Sequence, residues 1–289
     1  MLIEKQYLAP VFGAIIGAII GSFLNVVIHR LPKMMYQSWR KEFALTFPEY
    51  NLHFDDDKIS LVQPRSFCPR CRKGIRIRQN IPILSWLILR GRCAQCQGKI
   101  SLQYPTVEAV SAISSYIVCK HFGCAWMTLS TLLFTYFLII VSYIDINTKL
   151  LPDSLTLLLL WIGVTLSFFD IGTVHLRDSV AGAIVGYLFL WGFYWAFKIL
   201  TGKEGMGHGD FKMLAALASW TGWQAVPSIV LLSSLLGLTF GLIQIFSTKG
   251  YCRLRTFAFG PYLALAGWTC LLWKYDFMRW YIPYIRVAS

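Results

Sequence analysis

The chain has 289 residues, a formal net charge of +13, 56% hydrophobic and only 14% charged residues. Few soluble proteins carry so large an apolar share, and the mean hydropathy of +0.55 is positive as well, so a water-soluble fold is the poorer reading and a membrane protein the better one. The excess of cations serves as a topology signal, and nucleic-acid binding explains it less well.

Taken in chain order, apolar stretches of the roughly 17 to 25 residues that a bilayer requires fall near 8–28, 106–120, 125–144, 154–170, 179–198, 211–224, 227–246 and 257–273. The expectation is an all-α polytopic protein of about eight transmembrane helices. In the first stretch Gly13, Gly17 and Gly21 recur every four residues on one helix face, which permits close helix contact. Asn25 can add an interhelical hydrogen bond. A signal peptide carries its charge before the apolar run and a small-residue cleavage site after it. Here the order is reversed, so this span is expected to stay attached.

Only Lys5 is basic before the first span, whereas His29, Arg30, Lys33, Arg65, Arg70, Arg72, Lys73, Arg76, Arg78, Arg90, Arg92 and Lys99 follow it. By the bias of basic loops this side is cytoplasmic. Alternation then puts Lys149, Lys198, Lys203, Lys249, Arg253 and Arg255 on the same side and both termini outside. The basic inner face also attracts anionic lipid head groups. The expected organisation is a first span at 1–28, a cytoplasmic segment at 29–105, a seven-helix membrane domain at 106–275 and a periplasmic tail at 276–289.

Within the cytoplasmic segment, residues 34–62 are polar, carry the acidic patch Asp55, Asp56 and Asp57, and read as a solvated loop or short helix. Residues 63–104 hold Cys68-Pro-Arg-Cys71 and, 21 residues later, Cys93-Ala-Gln-Cys96. Two C-x-x-C pairs at this separation supply four thiolates for a tetrahedral zinc ion. Disulfides are the competing reading, but a reducing cytoplasm disfavours them. CPRCRKGI and CAQCQGKI suggest matching knuckles, with Gly74 and Gly98 in equivalent places. Four protein ligands leave no open position, so the zinc would be structural. Cys119 and Cys124 lie near the outer face and could pair there, while Cys252 and Cys270 read as ordinary thiols.

Two aspartates at the ends of apolar segments carry the chemistry: Asp145 in VSYIDINTKLLPD and Asp210 in GKEGMGHGDF. A carboxylate beside hydrocarbon is costly enough to require a job or a partner. In the topology above, Asp145 closes the third span and Asp210 opens the sixth on one side of the membrane, so the two can form a paired carboxylate site of the kind that cleaves peptide bonds. Glycines 205, 207 and 209 allow close backbone approach to an extended strand, or merely a flexible turn. His208 reads as a local hydrogen-bonding residue. Asp153 is expected to cap the fourth span, and Glu108 to sit in the first turn of the second, where a helix N-terminus stabilises its charge.

GSFLNVVIHRLP at 21–32, the C-x-x-C pairs, YPTVE at 104–108, IDINTKLLPDSL at 144–155, GKEGMGHGDFK at 202–212 and FGPYLALAGW at 259–268 together resemble the type IV prepilin peptidase family. The resemblance spans nearly the whole chain. It implies a multi-pass aspartic protease of the bacterial inner membrane, with its active site facing the cytoplasm. Asp145 and Asp210 would be its catalytic pair, and Gly207, His208 and Gly209 would complete the G-x-G-D motif. The implied substrates are type IV prepilins or type II secretion pseudopilins, cut after a glycine, with phenylalanine commonly the new N-terminus. Methylation of that N-terminus from S-adenosylmethionine is implied too, with Gly91 and Glu108 as candidates, although no fingerprint for that donor is present. A proton- or cation-coupled transporter and a zinc-bearing assembly scaffold are the rival readings. The transporter reading lacks a clear internal repeat, and the scaffold leaves the paired acidic motifs without a purpose.

Overall fold

The computed structural model describes residues 2–50, 59–63, 66–68, 70–75, 79, 81–123, 125–203, 205–247 and 258–273. It is helical throughout, with α1 at Leu2–Thr46, α2 at Leu84–Ile88, α3 at Gln103–Phe122, α4 at Trp126–Thr148, α5 at Asp153–Phe168, α6 at Leu176–Thr201, α7 at His208–Thr221, α8 at Val226–Ser247 and α9 at Gly260–Leu272. Among the described residues the only strand-like pairing is two isolated bridges. The chain divides into two compact units, Met1–Gly123 and Cys124–Ser289.

Every apolar stretch read from the sequence falls on a helix. Four of them, Leu8–Thr46, Trp126–Thr148, Leu176–Thr201 and Trp223–Phe246, are long and apolar enough to cross a bilayer, and α5 and α9 are shorter apolar helices. The protein is therefore a multi-pass membrane protein. α3 and α7 fall short of that measure for different reasons. α3 is interrupted by Glu108, Lys120 and several serines, whereas α7 has only 14 residues.

In the first unit α1 lies along α3. A Cβ added to Gly17 would stand 2.6 Å from the Ser111 carbonyl oxygen, and one on Gly21 would stand 2.8 Å from the Glu108 Cα. Gly13 is likewise pressed on Cys119. Only glycine lets the two backbones come this close. Asn25 Nδ2 donates to the Tyr104 carbonyl at 3.1 Å, which is the interhelical bond the sequence suggested. α1 does not stop with its apolar stretch. It runs on to Thr46, through MMYQSWRKEFALT, because that segment is rich in helix formers and lacks glycine. The segment 34–62, expected as a solvated loop or short helix, is thus continuous with α1 as far as residue 46, while Asp55, Asp56 and Asp57 lie outside the described residues. So do Cys124, Cys252, Arg65, Arg76, Arg78, Lys249, Arg253, Arg255 and the tail 276–289.

The second unit is built around α7. From Asp210 to Thr221 every residue except Lys212 is buried, because α5, α6 and α9 all pack on it. Small residues make the approach possible: a Cβ on Gly186 would lie 3.0 Å from the Leu214 carbonyl oxygen, and one on Gly163 would lie 2.7 Å from Trp220 Cδ1. Gly182 meets the Ala218 carbonyl even more closely. Trp220, Phe134, Leu159, Leu214 and Leu217 fill the centre. Trp220 donates its indole N–H to the Leu159 carbonyl at 2.9 Å, so the largest buried side chain leaves no orphaned donor.

Candidate active site

The cysteine cluster belongs to the first unit. Each C-x-x-C pair sits in a tight hairpin closed by one bridge, Phe67 with Gly74 and Arg92 with Lys99. The Cys68 N–H donates to Lys73 O at 3.0 Å and the Cys93 N–H to Gly98 O at 2.8 Å. Arg72 and Gln97, each following the second cysteine of its pair, both adopt the left-handed conformation, with φ of 54° and 53°. The two knuckles therefore do match, but one residue out of the expected register. Gly98 is equivalent to Lys73, and Gly74 to Lys99. Gly98 is the place that needs glycine for space, since a Cβ there would stand 2.7 Å from Arg70 Cδ, while nothing lies within 4 Å of Gly74.

The sulfurs of Cys68, Cys71, Cys93 and Cys96 lie within 4.8 Å of one another. A tetrahedral zinc ion with arms of about 2.3 Å separates its sulfurs by about 3.8 Å. Cys68 and Cys96 Sγ are 3.7 Å apart, so the donor set fits zinc. Backbone N–H groups of Cys71 and then Arg70 hold the Cys68 thiol down to about 6, which presents a thiolate to a metal. At Cys96 the Gly98 N–H favours ionisation, yet burial and the neighbouring sulfurs outweigh it and push the thiol up to about 11. A cation held among the four sulfurs would ionise all of them together, Cys96 included.

Glu108 and Gly91 both meet the short helix α2. The Ile83 N–H donates to Glu108 Oε2 at 2.7 Å, and the Ser22 hydroxyl reaches the same carboxylate. The expected first-turn position is corrected: α3 begins at Gln103, so Glu108 lies beyond its first turn and instead receives the backbone at the start of α2. Ile83 sits at φ 61°, a conformation costly for a β-branched residue, and the charge-assisted bond from its N–H offsets that cost. At the other end of α2, Gly91 has φ 68°, and a Cβ there would stand 2.7 Å from the Trp86 ring. An open hollow of about 520 Å³ nearby is lined by Arg70, Arg92, Gln97 and Lys99. Its three cations would repel the sulfonium of S-adenosylmethionine and attract its carboxylate, so the hollow carries no distinct signature of that donor.

In the second unit the two aspartates come together where helix ends meet. Asp145 occupies the last turn of α4, which ends when Lys149 takes a left-handed conformation and returns its N–H to the Asp145 carbonyl at 2.9 Å. Asp210 is the third residue of α7, after the cap Gly207, and its N–H bonds Gly207 O at 3.2 Å. Gly260 begins α9 and donates its N–H to Asp145 Oδ2 at 3.0 Å. Leu151 is the shared wedge. A Cβ on Gly209 would come 2.8 Å from its Cβ, and one on Gly260 would come 3.1 Å from its Cδ2 and 2.7 Å from Asp145 Oδ2. Both carboxylates are buried, at 5% and 7% exposure, and lie within electrostatic reach of each other.

His208 turns elsewhere. Its ring packs at 5.3 Å from Tyr194 and 5.5 Å from Phe211, an aromatic contact where the sequence reading expected a local hydrogen bond. Asp153 does not cap α5: Pro152 is the cap, and the Asp153 side chain makes no capping bond. It pairs with Lys212 Nζ at 2.6 Å instead, because Lys212 is the one polar opening on α7. Sequence reasoning quoted FGPYLALAGW but assigned Gly260 no role. Its signal was the glycine before a helix-starting proline, which marks a free N–H at a helix N-terminus.

Residues 15–122 match the Bacterial Peptidase A24 N-terminal domain, and residues 132–242 match the Type IV leader peptidase family. A protein of Aeromonas salmonicida (strain A449), named prepilin leader peptidase/N-methyltransferase, is 49% identical over 285 residues, covering 96% of this chain and 95% of that one. The chain belongs to the type IV leader peptidase family. Proteins of the same name from Pseudomonas aeruginosa, 44% identical over 93% of this chain and 92% of theirs, and from Neisseria gonorrhoeae, 45% identical over 88% and 87%, extend the family likeness. No solved structure matches the chain significantly. Each unit overlaps one family match, with the cysteine cluster in the N-terminal one and both aspartates in the leader peptidase one, while Gly260 lies beyond it.

Proposed function

We propose that this chain is a membrane aspartic endopeptidase that removes the leader of type IV prepilins or type II secretion pseudopilins. The observation that carries the reading is the meeting of Asp145 and Asp210, both buried, at converging ends of α4, α7 and α9. Two carboxylates so placed share a proton, because mutual repulsion keeps one of them neutral. The ionised member takes a proton from water as that water attacks the scissile carbonyl, and the neutral member donates a hydrogen bond to the carbonyl oxygen. Gly260 holds Oδ2 of Asp145 through its N–H, which leaves the other oxygen for the pair or the water. Gly207 and Gly209 let an extended substrate backbone come close.

On this reading the protein sits in the bacterial inner membrane, and the basic residues around the cysteine module support a cytoplasmic position for this side by the bias of basic loops. A substrate's leader would then stay in the cytoplasm while its apolar helix lies in the bilayer, with the bond between them at the aspartates. Zinc on Cys68, Cys71, Cys93 and Cys96 holds the module together and performs no chemistry. The relatives' names carry an N-methyltransferase activity, and by that likeness Gly91 and Glu108 are candidates for it, with S-adenosylmethionine as methyl donor.

The test is cleavage of a purified prepilin by the full-length protein in detergent. Asp145→Asn and Asp210→Asn each lower the rate by about a thousandfold or more, with thermal unfolding unchanged, because removing either member of a catalytic unit removes its function. The wild-type rate falls on both sides of a pH optimum, as a pair that must hold one proton requires. A folded Asn variant that still cleaves at the normal rate would remove that residue from the site.

A further inference from the structure

Helix α2 leaves one apolar face uncovered. Leu84, Leu87 and Ile88 follow the three-and-four spacing that sets residues on one side of a helix, with exposures of 57%, 57% and 79%, and Ile81, just before the helix, is 46% exposed. An exposed apolar face rimmed by charge marks a surface for protein or lipid, and its level along α1 favours lipid. Ile83 is bonded to Glu108, whose Cα lies against Gly21, and Tyr104 takes the Asn25 amide. These contacts hold the start of α2 beside Gly21 to Asn25. The first cation of α1 beyond its apolar stretch, Arg30, comes five to nine residues later, which is about 8 to 13 Å along a helix. The apolar face of α2 therefore starts on the hydrocarbon side of that cation.

Charge points the same way. Arg90 and Arg92 follow α2 directly and are exposed, as is Lys99, and no acidic residue occurs between Asp57 and Glu108. We propose that α2 is an interfacial anchor, its face of Leu84, Leu87 and Ile88 seated at the acyl-chain boundary of the bilayer that α1 crosses and the following Arg90 and Arg92 on the phosphates of anionic phospholipid. Apolar burial supplies the seating and the arginines supply the preference for anionic lipid. The cysteine module is thereby held flat on the membrane next to its attachment at α3, and the role is separate from peptide cleavage.

A photo-crosslinking benzoylphenylalanine placed at Leu87, Ile88 or, as an exposed control on the second knuckle, Gln95 tests this in the full-length protein. The protein is held in nanodiscs of phosphatidylglycerol and phosphatidylcholine, and adducts are read by mass spectrometry. Lipid adducts at Leu87 and Ile88 exceed those at Gln95 by about tenfold. Arg90→Gln with Arg92→Gln moves the adduct ratio about tenfold towards phosphatidylcholine, while metal content stays at the wild-type level and certifies the fold of the module. The anchor is refuted if Leu87 and Ile88 give no more lipid adduct than Gln95, or if they react instead with an added prepilin or with other segments of the protein.

Discussion

The two sites are built at opposite ends of a scale of locality. The cysteine cluster closes within 29 residues of chain, from Cys68 to Cys96, through two small hairpins with no buried core of their own. The aspartate site joins positions 115 residues apart, Asp145 to Gly260, and depends on α7 being enclosed by its neighbours. On the zinc reading one site would borrow its stability from a metal, and the other takes it from packing. They should accordingly fail under different insults.

Metal removal gives the largest contrast. Structural zinc is worth on the order of 10 kcal/mol to a small module, so Cys93→Ser or a strong chelator abolishes its order. Limited proteolysis then cuts within residues 66–100 while 125–247 stay resistant, and equal cleavage of both segments would break the contrast. Trp220→Ala is the converse insult. Emptying this buried position costs about 3 to 5 kcal/mol, seen as a lowered unfolding midpoint with metal content unaltered. Gly260→Val probes the aspartates without emptying the core. Its Cβ would press on Asp145 Oδ2, and a carboxylate displaced by about 1 Å loses roughly a hundredfold in cleavage rate. The smallest change is at Lys212→Met. The Asp153–Lys212 pair is partly exposed and worth about 1 kcal/mol at most, so cleavage stays within about threefold of wild type, measured as initial rate.

The same contrast explains what could be read in advance. The cysteines declare themselves by spacing, and the aspartates by the cost of a carboxylate next to hydrocarbon. Gly260 declared nothing, because its contribution is a backbone N–H and its partner belongs to another helix. The register of the knuckles was misplaced by one residue for a related reason. Sequence aligns the glycines Gly74 and Gly98, whereas hydrogen bonds align positions counted from the first cysteine, and those are Lys73 and Gly98. Hydropathy located the helices but not the end of α1, since MMYQSWRKEFALT forms helix without being apolar enough to span. It also could not reveal that α7 is shielded on all sides, a property of its neighbours.

The bond between Asp145 and Gly260 also sets a clock on biosynthesis. Translation at roughly 5 to 20 residues per second leaves Asp145 without that partner for about 6 to 23 s while the intervening 115 residues are made. By the end of that interval α4 is complete and α7 has been synthesised, yet the carboxylate still lacks the N–H that orients it. On the proposed reading a newly inserted chain would thus hold an unaligned pair until α9 arrives, and a ribosome stalled before residue 260 would leave a protease without its aligned pair in the membrane.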